Sequence, residues 1–473
     1  MTAFENADAL GKLYGSDTPS VRGPGRVGAS TRGSGAPGTG KDKPRKTRRA
    51  APSPDQETAE QRIAEWLQER DAPCFSLIGP AGSGKSWLLD RVVKLARKRR
   101  YTVRLSASTH KAAAQVRAAT GKHANTTHRI LGVKLIEDDE TGETKIKLGS
   151  AKLDSRTFLV VDEASMLPSR LVEAAVKAAK RRRAKVLFVG DAAQLSPVHE
   201  KPSKAVDKTR CDWPMHELTT IHRQAVGNPI IAAATAIRLA PEGTLPILET
   251  ARREDGSGVV VMENKRAWAE LLLEKCANPN EENRYLGFTN AATDAAARAI
   301  RRCQFGEAAD ESPYLVGERL IVNERCVLRD RAEDKGRKDT TSITIENNEE
   351  VVVEAVWQDG DRYRVQVRLD GDTITLDAFG SYQARARHLE RCAAQARRDG
   401  SWRDFFAERE AIADLRSATA ATGHKSQGSS YDDVFVNLDE LAKCRDPIER
   451  QRLAYVIFTR ARRTVYVYGG TSR

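Results

Sequence analysis

The sequence predicts an α/β protein with two parallel-sheet units, the second interrupted by a small antiparallel β module. Three observations carry this expectation. Apolar strands alternate with Ala-rich helical stretches from residue 53 to about 225, the alternation returns at residue 284, and period-two strands joined by Asp-Gly turns occupy about 315 to 378. Alternating strands and helices give a mainly parallel sheet covered on its faces. Period-two runs around Asp-Gly give antiparallel hairpins. At 473 residues the chain also exceeds what one hydrophobic core sustains, so two or three domains are expected.

The elements follow in order. Residues 1–52 are rich in Gly, Ser, Pro and basic side chains, ending in Lys41-Asp-Lys-Pro-Arg-Lys-Thr-Arg-Arg49, with too few apolar groups to offset the entropy of ordering; a disordered basic tail is expected. The first unit is assigned to 53–225. In it a helix rich in Ala, Glu and Leu leads to Phe75-Ser-Leu-Ile78, a Gly-rich turn, and Trp87-Leu-Leu-Asp-Arg-Val-Val at helical spacing, with further strands at Thr102–Leu105, Phe158–Val161 and Val186–Val189. Within this unit, Lys134–Leu148 alternates around a Thr-Gly turn, which predicts a β-hairpin insertion at about 131–156. The second unit is assigned to 226–312 and 415–473, with strands at Arg284–Phe288, Val434–Val436 and Val465–Tyr468. Between its halves, 313–414 holds the β module and a charged helical return, in which Trp402 and Phe406 are expected to be core residues.

Composition excludes several classes. No apolar run approaches the roughly 20 residues that cross a bilayer, and the N-terminus lacks a signal-peptide pattern, so a soluble, cytoplasmic protein with no membrane role is expected. Seven scattered cysteines without a C-x-x-C pair point to reduced thiols rather than a zinc or disulfide framework. The net charge of +13 suits a polyanionic partner, although ten Lys/Arg against four Asp/Glu lie in the first 50 residues and leave +7 for the rest.

Chemistry enters at Gly79-Pro80-Ala81-Gly82-Ser83-Gly84-Lys85-Ser86, which matches G-x-x-x-x-G-K-[ST] between a strand and a helix. In that setting the loop's N–H groups face phosphates, Lys85 offsets β/γ charge and the Ser86 hydroxyl can ligate Mg²⁺. A near-copy at Gly35–Asp42 has no strand before it, no helix after it, and a carboxylate where the hydroxyl belongs, so linker composition explains it. The strand Leu159-Val-Val-Asp162-Glu163 supplies two carboxylates, Asp162 to hold Mg²⁺ and Glu163 to polarise the attacking water. ATP and Mg²⁺ are therefore the expected cofactors.

Three further motifs narrow the class: Gly190-Asp-Ala-Ala-Gln194-Leu-Ser-Pro197, Ile221-His-Arg223-Gln, and Tyr455-Val-Ile-Phe-Thr459-Arg460. With the P-loop and acidic pair, they resemble superfamily 1 helicases of the 5′-to-3′ branch that contains Dda and RecD enzymes. The resemblance spans about residues 53 to 470. It implies two RecA-like P-loop NTPase domains, with the hairpin inserted in the first and an SH3-like β module in the second. It further implies that Gln194 senses the γ-phosphate, that Arg223 and Arg460 reach it as arginine fingers, that Gln56 reads adenine with Gln61 as the alternative register, and that Gly428 lies at the nucleotide. Cations placed on developing phosphoryl charge are worth about 10³–10⁵ in rate, and an arginine delivered from the second domain, as Arg460 would be, makes hydrolysis depend on cleft closure.

Four segments resemble the family's nucleic-acid track: Thr109-His110-Lys111, Thr127-His128, Thr289-Asn290 and His424-Lys425-Ser426-Gln427-Gly428. Hydroxyls, amides and backbone N–H groups suit phosphate contacts that position a strand without reading its sequence. Taken singly, each could be a helix cap or a solvated turn. The expected activity is a monomeric ATP-dependent DNA helicase moving 5′ to 3′, acting on single-stranded DNA and duplex junctions alongside replication or recombination proteins. The alternatives are a translocase without unwinding, an RNA helicase, or a passive single-strand-binding protein.

Overall fold

The computed structural model describes residues 51–137, 144–148, 151, 153–197, 200–221, 227–279, 281–329, 342–369 and 371–469; the basic tail through residue 50, the P-loop near-copy, the hairpin tip and Arg223 lie outside them. Three six-stranded sheets organise the described chain.

The first sheet is parallel throughout, in the order Ala124–Thr126, Thr102–Ala107, Thr157–Asp162, Lys185–Gly190, Cys74–Ile78, Met215–Glu217. Helices cover both faces, so Cys74–Ile78 is buried at every position rather than at alternate ones. One face packs Trp66, Phe75, Leu88, Val92 and Phe158; the other packs Ile78, Val161, Leu171 and Phe188. The entry helix Pro54–Trp66 begins where its sequence dictates. Ser53 caps it, Gln56 returns the bond to the cap, and Pro54 takes the first helical position. From this sheet projects the expected hairpin, Val133–Glu137 antiparallel to Thr144–Leu148.

The second sheet runs Ala420–Thr422, Arg284–Gly287, Tyr431–Asn437, Ala461–Tyr468, Gly258–Met262, Ala251–Arg252, parallel except for its last pair. Residues from both sides of the interruption thus pair in one sheet. The helix Pro447–Phe458, whose last six residues are buried, packs here with Ile230, Ile237, Val434 and Val465.

The third sheet orders Ile412–Ala413, Asp372–Phe379, Arg362–Leu369, Glu349–Asp359, Arg319–Val322 and Leu415–Ser417, antiparallel except for its first pair. Its two edge strands are separated in sequence by Asp414 alone. One residue reaches only about 7 Å, so the sheet must curl until its edges meet, as a small barrel. Because Leu415–Ser417 pairs with Arg319–Val322, the barrel's chain runs to residue 417, three beyond the 414 read from the sequence. Trp402 and Phe406 are buried with Ala396 on the two helices beside it, as expected for core residues.

All seven cysteines are free thiols. Among the described residues, no helix is long and apolar enough to cross a membrane, and no group of three His, Cys, Asp or Glu is placed to hold a metal.

The three sheets converge on Glu350, in the strand Glu349–Asp359. Its Oε1 takes Lys111 Nζ at 2.9 Å, and its Oε2 takes Arg284 Nη2 at 2.8 Å and Arg319 Nη2 at 3.0 Å. Lys111 belongs to the first sheet's helix His110–Thr120, Arg284 begins a strand of the second sheet, and Arg319 sits in the barrel. Burial pushes the Glu350 carboxyl upward, yet the Arg284 guanidinium and the Lys111 ammonium hold it down at about 2. Replacing Glu350 with Gln leaves these cations facing one another with no anion between them. Thermal unfolding of Glu350→Gln should show a loss of about 1–3 kcal/mol, between the values typical of exposed and buried pairs. Because the folded pKa is depressed, that loss is present above pH 4.5 and should shrink as pH falls toward about 2. A loss that stays constant with pH would count against the ion cluster as its source.

Candidate nucleotide site and nucleic-acid track

The predicted P-loop sits at the carboxyl end of Cys74–Ile78 and opens the helix Lys85–Lys98. Gly82 and Gly84 adopt positive φ, 80° and 79°, the left-handed region that a side chain disfavours and that turns successive N–H groups toward one point. Lys85 Nζ donates to the carbonyl oxygens of Gly79 (2.6 Å) and Pro80 (2.8 Å), so the ammonium is held within the loop.

On the far side of Lys185–Gly190 in the sheet, Thr157–Asp162 ends at the acidic pair. Burial first, and then the Glu163 carboxylate, push the Asp162 pKa up. Its Oδ1 accepts the Glu163 N–H at 2.9 Å, and Glu163 itself takes a left-handed backbone, φ 52°, at the start of the 3-10 turn Ala164–Met166. A cavity of about 800 Å³, of ligand size, is lined by Lys85, Ser86, Asp162, Glu163, Gly190 and Gln194, with Pro52 and Trp87 among its apolar walls. Gln194 is buried, and its Oε1 has no hydrogen-bond partner among the described residues. An unmet buried acceptor at the cavity wall calls for a donor from whatever fills the space. A buried carboxylate with a raised pKa likewise suits a cation. Ser86, Asp162 and Gln194 therefore fit a Mg²⁺–nucleotide. A second cleft, about 510 Å³ between the helix Asn290–Phe305 and the barrel, contains none of these groups.

The two upstream glutamines differ in burial. Gln56 is 2% exposed and donates through Nε2 to Ser83 O of the P-loop at 3.2 Å, whereas Gln61 is exposed and bonds Glu65 on its own helix. Arg460 is also buried, but on the second sheet's side: its guanidinium donates to Val456 O (3.2 Å), Ser429 O (3.2 Å) and Thr459 Oγ1 (3.0 Å), and it does not line the cavity. Gly428, at φ +68°, is near the first sheet's helix; a Cβ added there would stand 2.9 Å from Ala112 Cβ. Arg452 Nη1 crosses in the same way to Ser196 Oγ, 2.7 Å, and the Tyr455 hydroxyl reaches both Asp191 Oδ2 and the Ala81 N–H.

The four track segments each follow the carboxyl end of a strand at one side of a parallel sheet: Thr102–Ala107 and Ala124–Thr126 in the first, Arg284–Gly287 and Ala420–Thr422 in the second. Loops at that end carry ligands in open α/β sheets. Thr109 and Thr289 cap the helices that begin at His110 and Asn290. Thr289 is fastened further by Glu440, a buried carboxylate that takes its hydroxyl (2.7 Å) and the N–H groups of Phe288 and Thr289. His128, Asn290 and Lys425 are exposed; His424 bonds Glu449 at 3.0 Å, and Lys425 Nζ bonds Asn323 of the barrel segment at 2.5 Å. Gln427 is buried, with Nε2 unpartnered among the described residues. Thr127 departs from expectation. It is fully buried and its hydroxyl donates to Ala107 O at 3.0 Å, ordering the turn rather than facing a phosphate; Thr126 is the cap. Glu350 and Glu440 had no motif to announce them, whereas Asp191 and Tyr455 lay inside motifs without an assigned part.

Comparison with known proteins agrees with this layout. The AAA domain family model matches residues 53–255, and the UvrD-like helicase C-terminal domain model matches 417–468. The chain is 25% identical over 427 residues to the ATP-dependent DNA helicase dda of Enterobacteria phage T4, covering 82% of this chain and 92% of that one. It is 38% identical over 159 residues to the ATP-dependent RecD2 DNA helicase of Deinococcus radiodurans, covering 33% and 21% respectively. Among solved structures, Pif1 helicase from Bacteroides in complex with ADP-AlF3 and ssDNA aligns at TM-score 0.46 and 16% identity, over 86% of this chain and 91% of that one. With its motifs in family order across both matched regions, the chain is similar to superfamily 1B helicases of the Dda/RecD-like group.

Proposed function

We propose that this protein is an ATP-dependent DNA helicase that moves 5′ to 3′ along single-stranded DNA and separates duplex. The observation that carries this reading is the nucleotide cavity on one parallel sheet with the helix and loops of a second parallel sheet against it. In this reading the two sheets are RecA-like motor domains and the curled third sheet is an SH3-like module. Likeness to the phage T4 and Deinococcus enzymes, both ATP-dependent DNA helicases by name, supports the activity. The direction of travel rests on the 5′-to-3′ branch that the motifs resemble.

Lys85 leaves the Gly79 and Pro80 carbonyls to meet the β- and γ-phosphates of ATP. Ser86 and Asp162 hold Mg²⁺, which when bound neutralises charge on the phosphate oxygens. Glu163 orients the attacking water, and Gln194 reports the γ-phosphate by donating through its Nε2 amide, its unmet Oε1 being free to accept from that water. Arg460, with Arg223, comes to the γ-phosphate only when the halves close, so hydrolysis tracks domain position. The exposed groups His128, Asn290 and Lys425 alternate their hold on the strand. Phosphate contacts of this kind tolerate any sequence.

Steady-state ATP hydrolysis with and without single-stranded DNA tests the motor. The wild type should be strongly stimulated, and Lys85→Ala should lose about 10²-fold or more of the rate; DNA-independent hydrolysis sinks the motor, and an undiminished Lys85→Ala sinks the site. Arg460→Ala should bind ATP normally yet hydrolyse it about 10³-fold more slowly, whereas weakened binding with an intact rate would assign that arginine to substrate affinity alone. Shortening the hairpin 133–148 should abolish unwinding of 5′-tailed duplex while stimulated hydrolysis persists. Retained unwinding would mean that the hairpin takes no part in splitting the duplex.

A further inference from the structure

Tyr455 stands five residues before Arg460 on the buried helix Pro447–Phe458. The large apolar side chains of that helix end, Leu453, Val456, Ile457 and Phe458, pack within the second sheet's core, whereas the Tyr455 phenol carries its hydroxyl out to groups of the first sheet. Its hydroxyl donates to Asp191 Oδ2 at 2.5 Å and accepts the Ala81 N–H at 3.0 Å. Burial, and then the Asp191 carboxylate, raise the phenol's pKa, so the hydroxyl keeps the proton it donates.

Both partners belong to the nucleotide machinery. Ala81 is the third residue of the P-loop. Asp191 is fully buried, follows the strand Lys185–Gly190, and uses its Oδ1 to accept the Ala193 N–H at 3.0 Å, beginning the turn that carries Gln194. The P-loop and this turn are themselves joined where the Gly79 N–H bonds Gly190 O at 3.1 Å. One hydroxyl therefore fastens the phosphate loop, the Gln194 turn and the helix leading to Arg460. Packing alone would need only the ring. The oxygen has no other protein partner in the described residues, so its contribution lies in those two bonds.

We propose that Tyr455 is a positioning residue that keys the P-loop and the Asp191–Gln194 turn to the second domain, so that hydrolysis is matched to the relative position of the two halves. This rests on the ATPase reading above. A positioning group acts on the reacting geometry rather than on affinity, and displacements near 1 Å at such a site change rates by about 10²-fold.

Tyr455→Phe in the full chain removes the hydroxyl and keeps the ring. With poly-dT as the DNA probe, kcat of the stimulated ATPase should fall by about 10-fold or more while KM for ATP moves by less than about 3-fold. Duplex separated per ATP should fall with it. Asp191→Asn should reproduce the kcat loss, and the double variant should be no slower than the slower single one, because both remove the same link. Wild-type kcat and coupling in Tyr455→Phe would overturn the proposal, as would additive losses in the double variant. If Tyr455→Phe melts early, Asp191→Asn decides by the same readouts. Lys85→Ala separates the two levels: a stimulated wild type, an inactive Lys85→Ala and an unaffected Tyr455→Phe defeat the keying alone, whereas an unstimulated wild type defeats the motor and the keying together.

Discussion

The packing of three sheets against one another depends on how buried charge is balanced at Glu350. Arg284 is almost fully buried and always ionised, so it demands an anion nearby; Glu350 supplies it and binds Lys111 and Arg319 at the same time. The Tyr431 ring lies against this cluster, 5.0 Å from the Arg284 guanidinium carbon and 5.4 Å from Lys111 Nζ. A hydrophobic contact could slide. A carboxylate shared by cations from all three units sets their spacing at this junction.

That junction explains why one end of both parallel sheets becomes functional. Parallel strands put all their carboxyl ends on one edge, where each strand must turn into a helix and leave N–H groups unbonded. In the first sheet those turns give the P-loop, the acidic pair and the Gln194 turn; in the second they give the segments at Thr289 and His424. The cross-contacts at Gly428, Arg452 and Tyr455 bring the two edges together, which under the proposed function gives a change at the nucleotide a direct physical route to the track.

The site also holds polar groups at a disadvantage. Lys85 is turned onto loop carbonyls, Asp162 is pushed toward protonation by burial and its neighbour, and Gln194 Oε1 lacks a donor. Under the proposed function each of these would be relieved by a triphosphate with its cation, and that binding energy would reorganise the loop. Arg460, held by backbone oxygens of its own half, would have to exchange those bonds for phosphate.

Local chemistry was legible in the linear chain because it obeys short-range rules. The P-loop needs glycines at fixed offsets between a strand and a helix; the Asp-Gly turn at 359–360 is set by neighbouring residues; the buried strands appear as unbroken apolar runs. Motif order then named the family and its class of site residues. The sequence alone could not choose Gln56 over Gln61, since that depends on which face of a helix meets the P-loop, nor foresee that Thr127 is buried. It had no means to find Glu350, Glu440 or the reach of Tyr455, whose partners lie 31 or more residues away in the chain. Periodicity and spacing determined what each segment is. Only tertiary packing decided which polar groups meet, because the energy of a buried charge or hydroxyl depends on neighbours that the local chain does not contain.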